Sequence, residues 1–163
     1  MASSFSSSFD AFFEKVKPYA PAVARIAIAL VFLWFGINQL LIPKDFMGYL
    51  PGWVIQDTIG FGHYFHSIIM LLHLTPAMVL FLNGLLETVL GILLLIGLFT
   101  RASALILGLH LLSIAFSLGY NDVAIRDLGL ILVTISVFLH GPDRWCWDSK
   151  RDKYTHKENP AEA

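Results

Sequence analysis

PAMVLFLNGLLETVLGILLLIGLFTRASALILGLHLLSIAFSLGY, residues 76–120, contains two apolar runs, 76–99 and 102–120, separated only by Thr100 and Arg101. A helix needs about 20 apolar residues, at ~1.5 Å rise each, to cross a ~30 Å hydrocarbon core. Both runs approach or exceed that length, and so short a link makes them an antiparallel hairpin. Upstream, PAVARIAIALVFLWFGINQLLI at 21–42 forms another such run, with Pro21 suited to a first helical turn and Pro43 to a helix end. Downstream, VAIRDLGLILVTISVFLH at 123–140 forms the last, closed by Gly141-Pro142. The expected fold is all-α, a four-transmembrane-helix bundle with a partly helical outer loop between helices 1 and 2.

Composition agrees with lipid as the solvent. The 163 residues are 56% hydrophobic and 14% charged, against roughly 25% charged in a soluble domain. A net charge of −1 offers neither a basic surface for nucleic acid nor an acidic tract for a basic partner. The single Cys146 excludes an intramolecular disulfide and a Cys-x-x-Cys switch. Redox chemistry would therefore need a bound cofactor or another subunit, and no metal-ligand set is recognisable.

The chain divides into an N-terminal interfacial lead-in (1–20), a membrane domain (21–142) and a cytoplasmic tail (143–163) that is disordered at its end. The lead-in lacks the basic start and small-residue cleavage site of a secretory signal, which implies that it is retained. In the long connection from Pro43 to Thr75, FGHYFHSIIMLLHL at 61–74 reads as a short helix at the membrane interface. Its His63, His66 and His73 read as interfacial polar residues, because no carboxylate or cysteine completes a zinc set. Lys15, Lys17, Arg101, Arg144, Lys150, Arg151, Lys153 and Lys157 share one side, which predicts a multi-pass protein of the cell membrane with both termini cytoplasmic.

Charged groups at the centre of a membrane helix cost at least ~2.5 to 3.5 kcal/mol, so each needs a partner or a water cavity. Glu87 lies halfway along the second span, with Asn83 one turn earlier on the same face. Gly84 and Gly91 flank the pair and permit close approach of a neighbouring helix. His110 on the third span falls near the depth of Glu87, so a Glu–His contact is geometrically possible. Arg126-Asp127 opens the fourth span, and Asn38-Gln39 of the first span reaches a similar level. Arg126 and Asp127 admit two readings, a structural ion pair that fixes helix register or a ligand and proton site.

This arrangement resembles the DoxX family of small four-span membrane proteins. The resemblance rests on R-x8-W-x-G-x-N-Q-x3-P from Arg25 to Pro43, on LNGLLETVLGILLLIGLFTRASAL at 82–105, on Arg126-Asp127-Leu128-Gly129, and on the closing GPDRWCWD. Asn38 stands where the family commonly carries Lys, which removes an anion anchor. The resemblance implies a four-helix bundle associated with membrane redox work, with a quinone as the possible ligand. It makes Glu87, Arg126 and Asp127 the expected catalytic positions, and the polar residues placed near them, Asn38, Asn83 and His110, are the expected ligand-binding ones.

Three classes of function are compatible with these features. The first is a redox-associated subunit of a quinone-linked membrane oxidoreductase, embedded in the lipid bilayer beside a redox-protein partner or as a homo-oligomer. The second is a noncatalytic membrane scaffold or assembly partner, favoured by the lack of any nucleophile motif. The third is a proton-coupled small-solute transporter, which would have to be an oligomer because four spans are few for alternating access.

Overall fold

The computed structural model describes residues 10–150. After a helical stretch at 10–16 and a 3-10 turn at Lys17–Tyr19, α1 runs Ala20–Leu41. The connection holds α2 (Pro43–Phe46), a 3-10 turn (Met47–Tyr49), α3 (Gly52–Ile55) and α4 (Phe61–Leu71). The remaining long helices are α5 (Pro76–Ile96), α6 (Thr100–Leu118) and α7 (Asp122–His140). The four long helices α1, α5, α6 and α7 are long and apolar enough to cross a membrane. The protein is an all-α, multi-pass membrane bundle.

Local chemistry sets the ends. Pro43 bars continuation of α1, because the ring disfavours helical backbone at the residue before it, and Ile42 is accordingly non-helical. Thr75 caps α5 by accepting from Met78 N–H at 3.3 Å, and Asn121 caps α7 through Ala124 N–H at 2.8 Å. The second span stops at Ile96 rather than at the expected 99. Gly97 takes the left-handed conformation, φ 71°, and the Leu98 and Gly97 N–H groups bond back to the Leu93 and Leu94 carbonyls, as in a Schellman motif. The third span begins correspondingly earlier, at Thr100.

Buried positions follow a seam that steps by three and four. In α1 it is Ala22, Arg25, Ala29, Phe32, Gly36 and Gln39, and in α5 it is Leu80, Gly84, Glu87, Gly91 and Leu94. Such spacing keeps one narrow stripe facing a neighbour along the helix length. Where the seams cross, glycines bring the backbones together: a Cβ on Gly36 would lie 2.8 Å from the Gly84 carbonyl oxygen, and one on Gly84 would lie 2.9 Å from that of Gly36. The apolar core of Ile28, Ala29, Phe32, Leu94, Ala104, Leu107, Leu111, Ile131 and Val137 joins the four long helices. Outward faces carry exposed Leu30, Trp34, Phe81, Val89, Leu109 and Leu132, the surface that lipid covers.

The start of the expected tail is part of this end of the bundle. Buried Arg25 donates to Asp143 at 2.7 Å and to the Leu94 and Leu95 carbonyls at 2.8 and 2.6 Å. It thus adds charged donors to the last carbonyls of α5, where the helix's own i→i−4 ladder ends. Asp148 accepts from the Phe99 and Thr100 N–H groups at 3.1 and 2.8 Å, capping α6 from a distant segment. Cys146 is fully buried against Gly97, whose hypothetical Cβ would meet Sγ at 2.6 Å. Burial pushes the Cys146 thiol pKa up, against smaller lowering effects from Thr100 and Arg25. At Asp143, burial pushes the carboxyl up, but hydrogen bonds from Arg25 and the Trp145 N–H together hold it below its ordinary value. The expected disorder of the chain's end and the Ser-rich start of the lead-in lie outside the described residues.

Candidate functional site

Toward the loop side the helices leave a cavity of about 270 Å³. That lies just under the usual range for ligand sites, roughly 300 to 1,000 Å³, and leaves room for one ring-sized group. Phe32 and Phe35 of α1, Leu80 of α5, Leu111 and Ile114 of α6, and Leu130 of α7 form apolar walls. Phe46, Tyr49, Trp53 and Val54 of the connection form the roof. Five of the six residues singled out in the sequence line this space: Asn83, Glu87, His110, Arg126 and Asp127.

The floor is built by the glycine contact. One turn beyond Gly36 and Gly84, the seams of α1 and α5 place Gln39 opposite Glu87, and Gln39 Nε2 donates to Glu87 Oε2 at 2.9 Å. Asn83 Nδ2 donates to Gln39 Oε1 at 2.6 Å and to Glu87 Oε1 at 3.1 Å. The buried carboxylate is therefore held by two neutral amides, which offset part of the cost of its desolvation. His110 Nε2 lies 3.4 Å from Glu87 Oε1. The direction is not that of a hydrogen bond, and this buried nitrogen has no hydrogen-bond partner.

On α7, Arg126 Nε and Nη2 both donate to Asp127 Oδ1, at 3.0 and 2.9 Å. The two ends of this pair differ: the Asp127 side chain is 6% exposed and that of Arg126 54%. The guanidinium also sits 5.6 Å from the centroid of the Phe35 ring, a cation–π distance. Arg126 therefore combines a fixed ion pair with a face left open beside the cavity.

Asn38 does not join the cluster. Its Nδ2 donates at 2.6 Å to the Trp34 carbonyl of its own helix, and its neighbour Gln39 occupies the seam instead. Extending the three-and-four spacing of Ala29, Phe32 and Gly36 by one step reaches position 39, not 38, so the signal was present in the sequence. Ser113 and Ser117 line the cavity but bond to backbone carbonyls of their own helix, at 2.7 and 2.8 Å. Ser103 lies in the buried seam at the opposite end.

The histidines of the connection remain apart from this site. His63 Nδ1 pairs with Asp57 at 2.8 Å, and outside the membrane that contact holds the Asp57 carboxyl below its ordinary value. His66 Nδ1 donates to the Trp53 carbonyl at 2.8 Å, while His73 lies beyond the end of α4 in a left-handed turn, φ 52°. Among the described residues no group of three or more His, Cys, Asp or Glu side chains is arranged to hold a metal ion.

The arrangement offers one carboxylate, one guanidinium–carboxylate pair, two amides and an imidazole around an apolar space. That set suits a small, largely apolar molecule bearing one or two oxygens. The DoxX family model matches residues 20–119, from α1 through the end of α6. Arg126 and Asp127 lie beyond the matched span. No curated protein and no solved structure matches the chain.

Proposed function

The chain belongs to the DoxX family, and on that premise we propose that it is a redox-associated subunit of the cell membrane that binds a quinone or a similar small apolar molecule in the loop-side cavity. The observation that carries this reading is the convergence of Asn83, Glu87, His110, Arg126 and Asp127 on one cavity with otherwise apolar and aromatic walls. The buried His110 Nε2 without a hydrogen bond supports the fit, since a ligand oxygen is the kind of partner it lacks.

A bound quinone supplies the redox chemistry, and the residues of this chain bind it and manage protons. Glu87 takes and returns a proton as a general acid–base group. Gln39 and Asn83 hold its carboxylate in one orientation. Arg126 offers its open guanidinium face to an oxygen bearing negative charge, and Asp127 fixes that guanidinium. Phe35, Phe46 and Trp53 supply flat apolar surface for a ring. The basic bias toward the chain ends supports cytoplasmic termini, so the cavity belongs to the outer half of the bilayer. Electrons would come from a redox-protein partner, and the chain itself would sit beside it alone or as a homo-oligomer.

The test is to purify the full chain in mild detergent and extract it for quinone. Co-purifying quinone that is lost in Glu87→Gln and Arg126→Ala supports the reading. Quinone retained unchanged in both variants removes this site. Capture of a protein partner from crosslinked membranes, with no quinone in the wild type and no effect of Glu87→Gln, favours the scaffold instead.

A further inference from the structure

We propose that α4 is a monotopic helix seated in the lipid interface of the loop-side leaflet, from which it carries the roof of the cavity. Its 11 residues span only about 16 Å at ~1.5 Å each, about half of a ~30 Å hydrocarbon core, so it cannot cross.

Its surface divides into three faces. Tyr64, Phe65, Ile68, Leu71 and the following Leu72 fall on one side at helical spacing, and all are exposed, Leu71 to 76%. A second side packs on the protein: Ile69 is buried, a Cβ on Gly62 would lie 3.1 Å from Trp53 Cβ, and His66 donates to the Trp53 carbonyl at 2.8 Å. The third side carries His63 and Ser67 together with the exposed Met70, and the His63 side chain is paired to the exposed Asp57. An apolar face, a packed face and a polar face are what a helix lying in the plane of the interface requires.

The occupant of the apolar face is phospholipid, because that face continues into the lipid-covered surface of the bundle. The chain passes from Leu71 and Leu72 through a short turn to Pro76, and the first large apolar side chains exposed on α5 are Met78, Phe81, Leu82 and Leu85. Water would face a strip of large apolar side chains at the very edge of a transmembrane helix, whereas the headgroup and upper acyl zone buries them to ~5–10 Å. The packed face links this helix to the cavity: the Phe65 and Trp53 rings lie 5.1 Å apart, and Trp53 and Val54 line the roof.

The experiment is collision accessibility of nitroxide labels on the full chain in phosphatidylcholine–phosphatidylglycerol vesicles. Labels go on Ile68→Cys and Leu71→Cys, and separately on His63→Cys and Ser67→Cys. All four sites are solvent-facing in the isolated protein, and the fully buried native Cys146 gives the unsubstituted background. The proposal expects Ile68→Cys and Leu71→Cys to collide mainly with oxygen, and the other two mainly with a water-soluble nickel chelate. Strong nickel collisions at 68 and 71 would place the face in water. Protection there from both reagents would mean that a second protein surface, not lipid, covers it. Either result overturns the proposal.

Discussion

Gln39 Nε2 donates to Glu87 Oε2 at 2.9 Å across two helices whose backbones touch one turn away, at Gly36 and Gly84. The carboxylate's position therefore depends on a contact that only glycine permits.

Replacing Gly84 with Ala introduces a Cβ 2.9 Å from the Gly36 carbonyl and 3.0 Å from Gln39 Cβ, and backbone cannot yield locally. The expected loss is about 1–3 kcal/mol, as for overpacked cores, read as a lower thermal midpoint in detergent. Gly129→Ala is the control, because nothing lies within 4 Å of its Cβ position. It should be neutral or gain up to about 1 kcal/mol from helix propensity.

Gln39→Leu removes the donor to Glu87 Oε2 and the acceptor for Asn83. Leaving buried polar groups unsatisfied costs about 1–3 kcal/mol. Asn38→Leu should cost far less, since its side chain bonds only the Trp34 carbonyl of its own helix. Paired thermal melts of the two variants check the contrast.

How much of this was legible follows from what period and chemistry can encode. Four apolar runs and their breakers specify four spans, and buried charge marks Glu87 before any geometry is known. The Glu87–His110 approach followed from depth alone. Asn38 and Gln39 differ only by the rotation of one residue about the helix, and extending the seam from Gly36 is what separates them. In the sequence Arg25 stands out only as the first residue of the R-x8-W motif. Its partner Asp143 lies 118 positions away, and no local spacing encodes a contact of that range. The same holds for Asp148, which caps α6 from a stretch that composition marks as tail.

Removing one member of the buried Arg25–Asp143 pair leaves an uncompensated charge, so Asp143→Ala should cost about 3–5 kcal/mol. The pairing also predicts a pH dependence. The Asp143 carboxyl is held below its ordinary value in the folded protein, so its contribution is complete above the unfolded Asp value of about 4. It is lost as pH falls further, through the lowered folded value. The difference in thermal midpoint between wild type and Asp143→Asn should therefore be constant from neutral pH down to about 5 and should shrink at lower pH.

Cys146 is fully buried, with its thiol pKa raised by that burial. The native protein should resist maleimide at pH 7, because the thiolate is the reactive form and neither it nor the reagent is accommodated there. Labelling should become complete on denaturation. Mass spectrometry of the protein before and after unfolding reads both states.

The most direct test of the cavity's role is equilibrium binding of a short-chain quinone to the purified chain in lipid nanodiscs, comparing wild type with Glu87→Gln, Arg126→Ala and the control Gly129→Ala, whose added Cβ meets nothing within 4 Å. Saturable binding that Gly129→Ala preserves, and that Glu87→Gln and Arg126→Ala each weaken about tenfold or more, equivalent to about 1.4 kcal/mol, is the expected result. Absence of saturable binding to the wild type, or equal affinity in all four proteins, would contradict the account.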